Sequence, residues 1–349
     1  MEKVKTEKIS LKTIAERLCV SKTLVSMVIN NKGDANGISK ETQKRVWAVA
    51  KQLNYKPNFL ARGLRLGKTY TIGLIVSDIS NPFYSRIARI MEDEAATNGY
   101  TLFICSTDES PENETKMIKM LTDRQVDGLI ISSSQSNIKE YNLLRLQEIP
   151  FIFIDRYFTE IDASSIIVNG FDSSYNAINH LINNGYKRIA SFAITPVYIS
   201  SIRQRIEGYL KAIKENNFNY TSDLLVEIDY ENIKDNVKKK IIELVNNEEP
   251  IDAIFAVNNK VCIACLESLK ELEIKIPEQI AILSFDDIDV FKLTTPTITA
   301  ISQPIEDISK NAFQILMNEI DSKNTVEYKQ VILNPELIVR DSTTSKSTK

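Results

Sequence analysis

At 349 residues and 43% hydrophobic content the chain is globular and too long for one ordinary core, so two or three domains are expected. A net charge of −3 hides an asymmetry: residues 1–68 carry 15 Lys/Arg against 5 Asp/Glu, and the rest carries 28 against 41. A head of net +10 on a body of net −13 is the footprint of a head that meets phosphate, and a merely solvated bundle would not need it. No run of about 18 apolar residues is present, which excludes a membrane-spanning helix. Met1 to Ser10 is charged and lacks the apolar centre of a secretory signal, so a cytoplasmic location is expected.

The first predicted helix runs from Leu11 to Leu18, capped by Ser10, with Leu11, Ile14, Ala15 and Leu18 as its apolar positions. Only Cys19 and Val20 separate it from Ser21, which caps a second helix ending near Asn30. Leu24, Val25, Val28 and Ile29 form that helix's apolar stripe, leaving Lys22, Thr23, Ser26 and Met27 to face outward together. Two helices joined by so tight a turn form a helix-turn-helix, whose second helix suits the major groove of DNA; an ordinary helical hairpin is the plainer alternative. Ser39 caps a third helix reaching Leu53, with Val46, Trp47, Val49, Ala50 and Leu53 apolar. After Asn54-Tyr55-Lys56-Pro57, a short helix is expected over Asn58 to Arg65. Residues 63–69 nearly spell a phosphate-binding loop, but the glycines are one residue too close and the segment leads from helix to strand, so an ATP site is rejected.

From Tyr70 onward, short apolar runs alternate with amphipathic helices. Strands are expected at Ile72–Val76, Thr101–Cys105, Gly128–Ser132 and Phe151–Ile154, then at Ile189–Ala193, Leu224–Ile228, Ala253–Val257 and Ile280–Ser284. The intervening helices are Pro82–Asn98, Glu112–Arg124, Ser173–Asn183, Ser201–Asn216, Asn232–Asn246 and Lys260–Glu271. This alternation predicts parallel sheets with helices on both faces, in two Rossmann-like lobes. Ligands of such sheets bind at the carboxyl ends of strands. There the sequence places Asp78 to Tyr84, Asp155-Arg156, Asn258-Asn259 and Asp286-Asp287. Short carboxylates and amides beside aromatic rings suit a polyhydroxyl ligand, although any one of them could be only a loop or cap residue. Cys262 and Cys265 have CxxC spacing without a second ligand pair, and are expected to pack in a helix without metal. No G-x-G-x-x-G follows the first strand, no base–nucleophile pair is visible around the single histidine, His180, and no cofactor is expected.

Several of these stretches together resemble the lactose repressor/galactose repressor (LacI) family of bacterial transcription regulators. The resemblance rests on Val20-Ser21-Lys22-Thr23 with Val25-Ser26, Tyr55-Lys56-Pro57-Asn58, and Ala61-Arg62-Gly63-Leu64-Arg65. It continues through Ile72 to Val76 and Asp78 to Phe83, and returns at Ser284 to Asp287 and Gln303-Pro304-Ile305. It implies an N-terminal all-α helix-turn-helix head on an α/β two-lobed, periplasmic-binding-protein-like core with parallel sheets. The boundaries expected are 1–56 for the head, 57–69 for a hinge helix and linker, 70–341 for the core and 342–349 for a flexible tail. Within the core, lobe one would hold 70–168 and 303–328, and lobe two 169–302 and 329–341.

By the same resemblance, Lys22, Thr23, Ser26, Met27, Asn30, Thr42, Tyr55, Asn58, Ala61, Arg62 and Leu64 would contact a near-palindromic double-stranded DNA operator. Matching leucines of two protomers, here Leu64, would wedge the minor groove. Phe83, Tyr84, Asp155, Arg205, Asn258 and Asp286 would hold a small-molecule effector between the lobes, most commonly a sugar in this family, though purine- and nucleoside-responsive members share the fold. The expected protein is a homodimeric, carbohydrate-sensing repressor; the alternative is a solute-binding receptor of the periplasmic type. The chain departs from the family at Cys19, where Gly is usual, at Met27, where many members carry Arg, and at Asn259, which replaces the usual Asp. Gly63 weakens the expected hinge helix, and Lys32–Gly37 looks like an insertion.

Overall fold

The computed structural model describes residues 9–55, 67–216, 218, 221–322 and 327–344. The chain divides into two compact units, 1–69 and 70–349.

The first unit contains α1 (Leu11–Leu18), α2 (Lys22–Ile29) and α3 (Lys40–Gln52). Each starts on a serine that caps it: Ser10 accepts from the Thr13 amide, Ser21 from Leu24 and Ser39 from Thr42. α1 stops because Cys19 adopts the left-handed conformation, φ 52°, and the chain turns at once into α2. Ile14, Ala15, Val25, Val28, Ile29, Val46 and Ala50 form one small core shared by the three helices. Trp47 corrects the expected stripe of α3. It lies one residue, about 100° of helix, beyond Val46, and is 44% exposed. The loop over Lys32–Gly37 holds a 3₁₀ turn, Asp34–Asn36, which Lys40 and Gln43 anchor through the Asp34 carboxylate.

The second unit runs β1 (Thr71–Val76), α4 (Pro82–Thr97), β2 (Thr101–Ser106), α5 (Pro111–Asp123), β3 (Gly128–Ile131), α6 (Lys139–Leu146), β4 (Phe151–Ile154) and β5 (Ser165–Val168). It continues with α7 (Gly170–Asn183), β6 (Ile189–Ile194), α8 (Ser200–Glu215), β7 (Leu225–Ile228), α9 (Ile233–Val245), β8 (Ala253–Ala256), α10 (Asn259–Glu271) and β9 (Ala281–Phe285). β10 (Thr299–Ser302), α11 (Ile305–Asp321), β11 (Gln330–Leu333) and β12 (Glu336–Ile338) complete it. Two six-stranded sheets result, ordered β11-β5-β4-β3-β1-β2 and β12-β10-β9-β8-β6-β7. Pairing is parallel throughout except where β12 runs against β10, Ala300 opposite Ile338. Central strands such as Phe-Ile-Phe-Ile of β4 and Ala-Ile-Phe-Ala of β8 are buried on both faces, as strands covered by helices on either side must be.

The expected strands and helices are present, joined by α6, α11 and four strands that the alternation did not single out. Two boundaries need correction. Residues 330–333 extend the first sheet by pairing with β5, so they do not belong to the second lobe. The segment after 341 is not a loose tail at its start: Ser342 and Thr343 have no solvent exposure. The Ser342 hydroxyl donates to the Ile282 carbonyl at 2.6 Å and accepts from the Thr299 amide at 2.8 Å. Thr343 bonds Thr299 and the His180 ring.

Candidate nucleic-acid interface and effector cleft

On the first unit, burying Val25, Val28 and Ile29 against α1 and α3 turns the other side of α2 outward. Lys22 and Thr23 are exposed, and Ser26 and Met27 half-buried, on that outer side. Asn30 caps the end of α2, its Nδ2 donating to the Ser26 carbonyl at 2.6 Å, so that much of its amide is already engaged. The Thr42 hydroxyl lies 2.9 Å from that of Ser39 at the start of α3. Tyr55 is half-buried against the small core, and burial pushes its phenol pKa up. Asn58, Ala61, Arg62 and Leu64 lie outside the described residues.

On the second unit, one cleft between the lobes is lined by all six expected effector residues: Phe83, Tyr84, Asp155, Arg205, Asn258 and Asp286. Strand ends bring them together, because parallel strands of both lobes deliver their carboxyl termini to the facing edges. Asp155 and Asp286, immediately after β4 and β9, both take left-handed backbone, φ 62° and 71°. Aspartate tolerates that conformation better than most residues.

Arg205, on α8, is 3% exposed and sits at the centre. Its Nη1 donates to the Val257 carbonyl at 2.7 Å, and its Nη2 lies 3.5 Å from Asp155 Oδ1. Asp286 Oδ2 is 3.8 Å away, and the guanidinium lies 3.7 Å over the Phe285 ring. Asp286 also accepts from Gln303 at 2.5 Å; burial raises its pKa, with Arg205 and Gln303 opposing. Tyr84 donates to Asp155 at 3.0 Å, and its ring packs edge-on to Phe83. Asn258 caps α10 by accepting from the Val261 amide.

Sequence reasoning placed Arg156 at a strand end but missed the partner that fixes it. Arg156 is fully enclosed and donates twice to Glu109, at 2.6 Å each, and once to the Ser133 carbonyl. Burial alone would raise the Glu109 pKa, but the Arg156 charge and hydrogen bonds outweigh it and hold it low. Glu109 comes from the loop after β2, 47 residues from Arg156, and no local spacing announces the pair. Asp287, by contrast, turns away to a bidentate pair with Arg340.

Polar contacts hold the lobes together across the cleft. Asp78 of the first lobe receives Lys260 at 3.0 Å and the Tyr230 hydroxyl at 2.9 Å, both from the second. Burial would raise the Asp78 pKa, but hydrogen bonds from Ser80, Lys260 and Tyr230 overcome it and lower it to about 2. Asn259, at the departure from the family's Asp, donates to the Asn81 side chain at 2.8 Å, and Arg86 pairs with Asp289. The enclosed volume is about 30 Å³, room for about one water. Asp155 Oδ1, Arg156 Nε and Arg205 Nε in this wall, and Gln303 Oε1 behind Asp286, are buried without a hydrogen bond, the first two with only an ion-pair neighbour at 3.5 Å.

His180 lies away from this cleft, bonded to Thr343. Cys262 and Cys265 are fully buried in α10, with burial pushing the Cys262 thiol pKa up to about 12, which makes both poor nucleophiles and poor metal ligands. Among the described residues no cluster suits a metal ion, and no helix is long and apolar enough to cross a membrane.

Residues 10–58 match the bacterial regulatory proteins of the lacI family, and residues 178–343 a periplasmic binding protein-like domain. The repressor PurR of Aliivibrio salmonicida is 30% identical over 336 residues, covering 95% of this chain and 98% of its own. The ribose operon repressor of Halalkalibacterium halodurans is 31% identical over 334 residues, covering 96% and 97%. A lac repressor dimer, solved bound to operator and the anti-inducer ONPF, superposes with a TM-score of 0.83 at 21% identity, over 97% of this chain and 100% of that one. A helical head and two parallel-sheet lobes define an effector-controlled DNA-binding regulator. The chain belongs to the LacI family of transcriptional regulators, and that family is not enzymatic.

Proposed function

We propose that this repressor answers to a small, uncharged, polyhydroxyl effector of the sugar class bound between the lobes. The observation that carries this reading is a set of buried polar atoms that make no hydrogen bond, Asp155 Oδ1, Arg156 Nε and Arg205 Nε in the cleft wall and Gln303 Oε1 behind Asp286, two acceptors and two donors. A hydroxyl both donates and accepts, so a few hydroxyls on one ring satisfy such a set, whereas a flat apolar ring leaves it unsatisfied. Charge supports a neutral ligand. Asp78, Glu109, Asp155 and Asp286 face Arg156, Arg205 and Lys260 in the lining, so every cation already has a carboxylate neighbour. A phosphate or carboxylate would meet uncompensated negative charge. The relative named for a ribose operon is consistent with this class. The test is a thermal-shift screen of the full chain against pentoses, hexoses, their phosphates and free nucleobases. Stabilisation by neutral sugars supports the reading, and stabilisation confined to phosphates or nucleobases refutes it.

For the head, the reading is a homodimer on a near-palindromic operator, with Lys22, Thr23, Ser26 and Met27 at base edges and Asn30 and Thr42 at the backbone. Met27 offers only apolar contact, suited to a thymine methyl and not to the forked reading of guanine. Footprints lacking two-fold symmetry would refute this arrangement.

A further inference from the structure

α5 buries Glu114, Ile118 and Leu121, which are spaced as one stripe of a helix. An apolar residue at 114 would continue that stripe, yet a carboxyl group with no solvent exposure stands there. Burying such a group is costly unless hydrogen bonds offset it. A break in a helix's own pattern is expected where function requires it.

The hydrogen bonds of Glu114 lead to the effector cleft. Its Oε2 accepts from the Ser134 amide and its Oε1 from the Tyr141 hydroxyl, at 2.5 Å each. That hydroxyl, on a ring packed among Phe151, Phe153 and Phe158, also bonds Ser133 Oγ. Ser132 to Gln135 follow β3 and are buried throughout. The Ser133 carbonyl and the Ser134 amide are the two ends of one planar peptide, and in a trans peptide they point in opposite directions. Glu114 holds the amide end, and Arg156 Nη1 donates to the carbonyl end at 2.9 Å. Rotating this peptide would remove the acceptor from Arg156 and the donor from Glu114 together. One residue earlier, Ser132 Oγ lies 2.9 Å from the Tyr84 hydroxyl that donates to Asp155.

We infer that Glu114 is a positioning residue for the effector: it lies outside the lining of the cleft, and through the Ser133–Ser134 peptide it fixes the Arg156 guanidinium that the cleft presents. This rests on the reading of that cleft as the effector site. Tyr141 serves the same peptide from α6, so the two side chains act as one support.

Two measurements on the full chain test this, with the wild type, Glu114→Gln, Tyr141→Phe and the double variant. Gln keeps the volume of Glu but offers one acceptor oxygen in place of two, and Phe keeps the ring and loses only the hydroxyl. Amide hydrogen exchange without ligand reads the segment itself. Exchange over 132–136 should rise at least about tenfold in Glu114→Gln while α5 and α6 keep their protection. Isothermal titration with D-ribose and D-glucose, well below the melting transition, reads the consequence. Each single variant should bind the sugar about tenfold more weakly, and the double variant about as weakly as either. Unchanged exchange over 132–136, or protection lost throughout α5 and α6, overturns the inference. So does wild-type sugar affinity in Glu114→Gln, or a loss of about a hundredfold in the double variant, the product expected of independent sites. Failure of both sugars to bind the wild type counts against the sugar reading and leaves the exchange data to decide the inference.

Discussion

Three residues show how single side chains set the balance here. Cys19 ends α1 in left-handed backbone, φ 52°, where a β-carbon is strained and the family places Gly. Cys19→Gly should therefore stabilise the head by up to about 1 kcal/mol, measured as a rise in the melting temperature of its transition. Asp78 makes the opposite point, a charge held in place by partners across the cleft. Its folded pKa of about 2 lies below the ordinary carboxylate value of 3.8. The stabilisation it gives is complete above about pH 4 and is lost as pH falls toward 2. Asp78→Asn should flatten the melting profile of the second unit over that window and lower stability at neutral pH. A variant with the wild type's pH profile would mean that the Lys260 and Tyr230 contacts add nothing to closure. Arg205 carries more. Arg205→Ala leaves Asp155 and Asp286 buried beside each other without their cation, a kind of loss that typically costs about 3–5 kcal/mol. Effector binding should fall at least about tenfold, while operator affinity without effector is retained, measured by fluorescence anisotropy with and without the sugar found in the screen.

At the scale of elements, the fold depends on how closely α7 and α8 approach. Gly208 lies at their crossing, and a β-carbon there would stand 2.2 Å from the Phe171 carbonyl oxygen. Because that obstacle is backbone, relief requires moving a helix. Gly208→Ala should cost about 1–3 kcal/mol or more, read as a lower urea midpoint of the second unit, and should displace Arg205, which is on the same helix. The caps act in the same way on a smaller scale. Three serines, each just before an apolar stripe, fix the starts of α1, α2 and α3, and with them the outward face of α2.

For the whole molecule, a basic head and an acidic body divide the work between phosphate and effector. Operator affinity should fall with salt at a log–log slope of about −0.9 for each neutralised phosphate, while effector affinity, which depends on buried groups, should change little. Equal salt dependence of the two equilibria would contradict the assignment of head and cleft.

The alternation of β and α, the three capped head helices, the two-residue turn between the first two and the strand ends where polar residues accumulate are legible in the amino-acid order alone. These are local properties: periodicity, capping and backbone preference act over a few residues, so a single segment displays them. Five of the six candidate effector residues were legible through the strand-end rule as well as the family resemblance, Arg205 inside a helix only through the resemblance, and folding gathers all six around one cleft. Only the tertiary structure decided which partners those groups meet. Arg156 and Glu109, Asp78 and Lys260, Asn81 and Asn259 are joined across 47, 182 and 178 residues, and no period within the chain encodes such distances. It also decided that Trp47 stays outside its core, that residues 330–333 complete the first sheet, and that Ser342 and Thr343 are buried beneath Thr299. The physical reason is the same each time. Burial and pairing depend on what arrives from elsewhere in the fold, and a strand end specifies a polar group without specifying the charge placed opposite it.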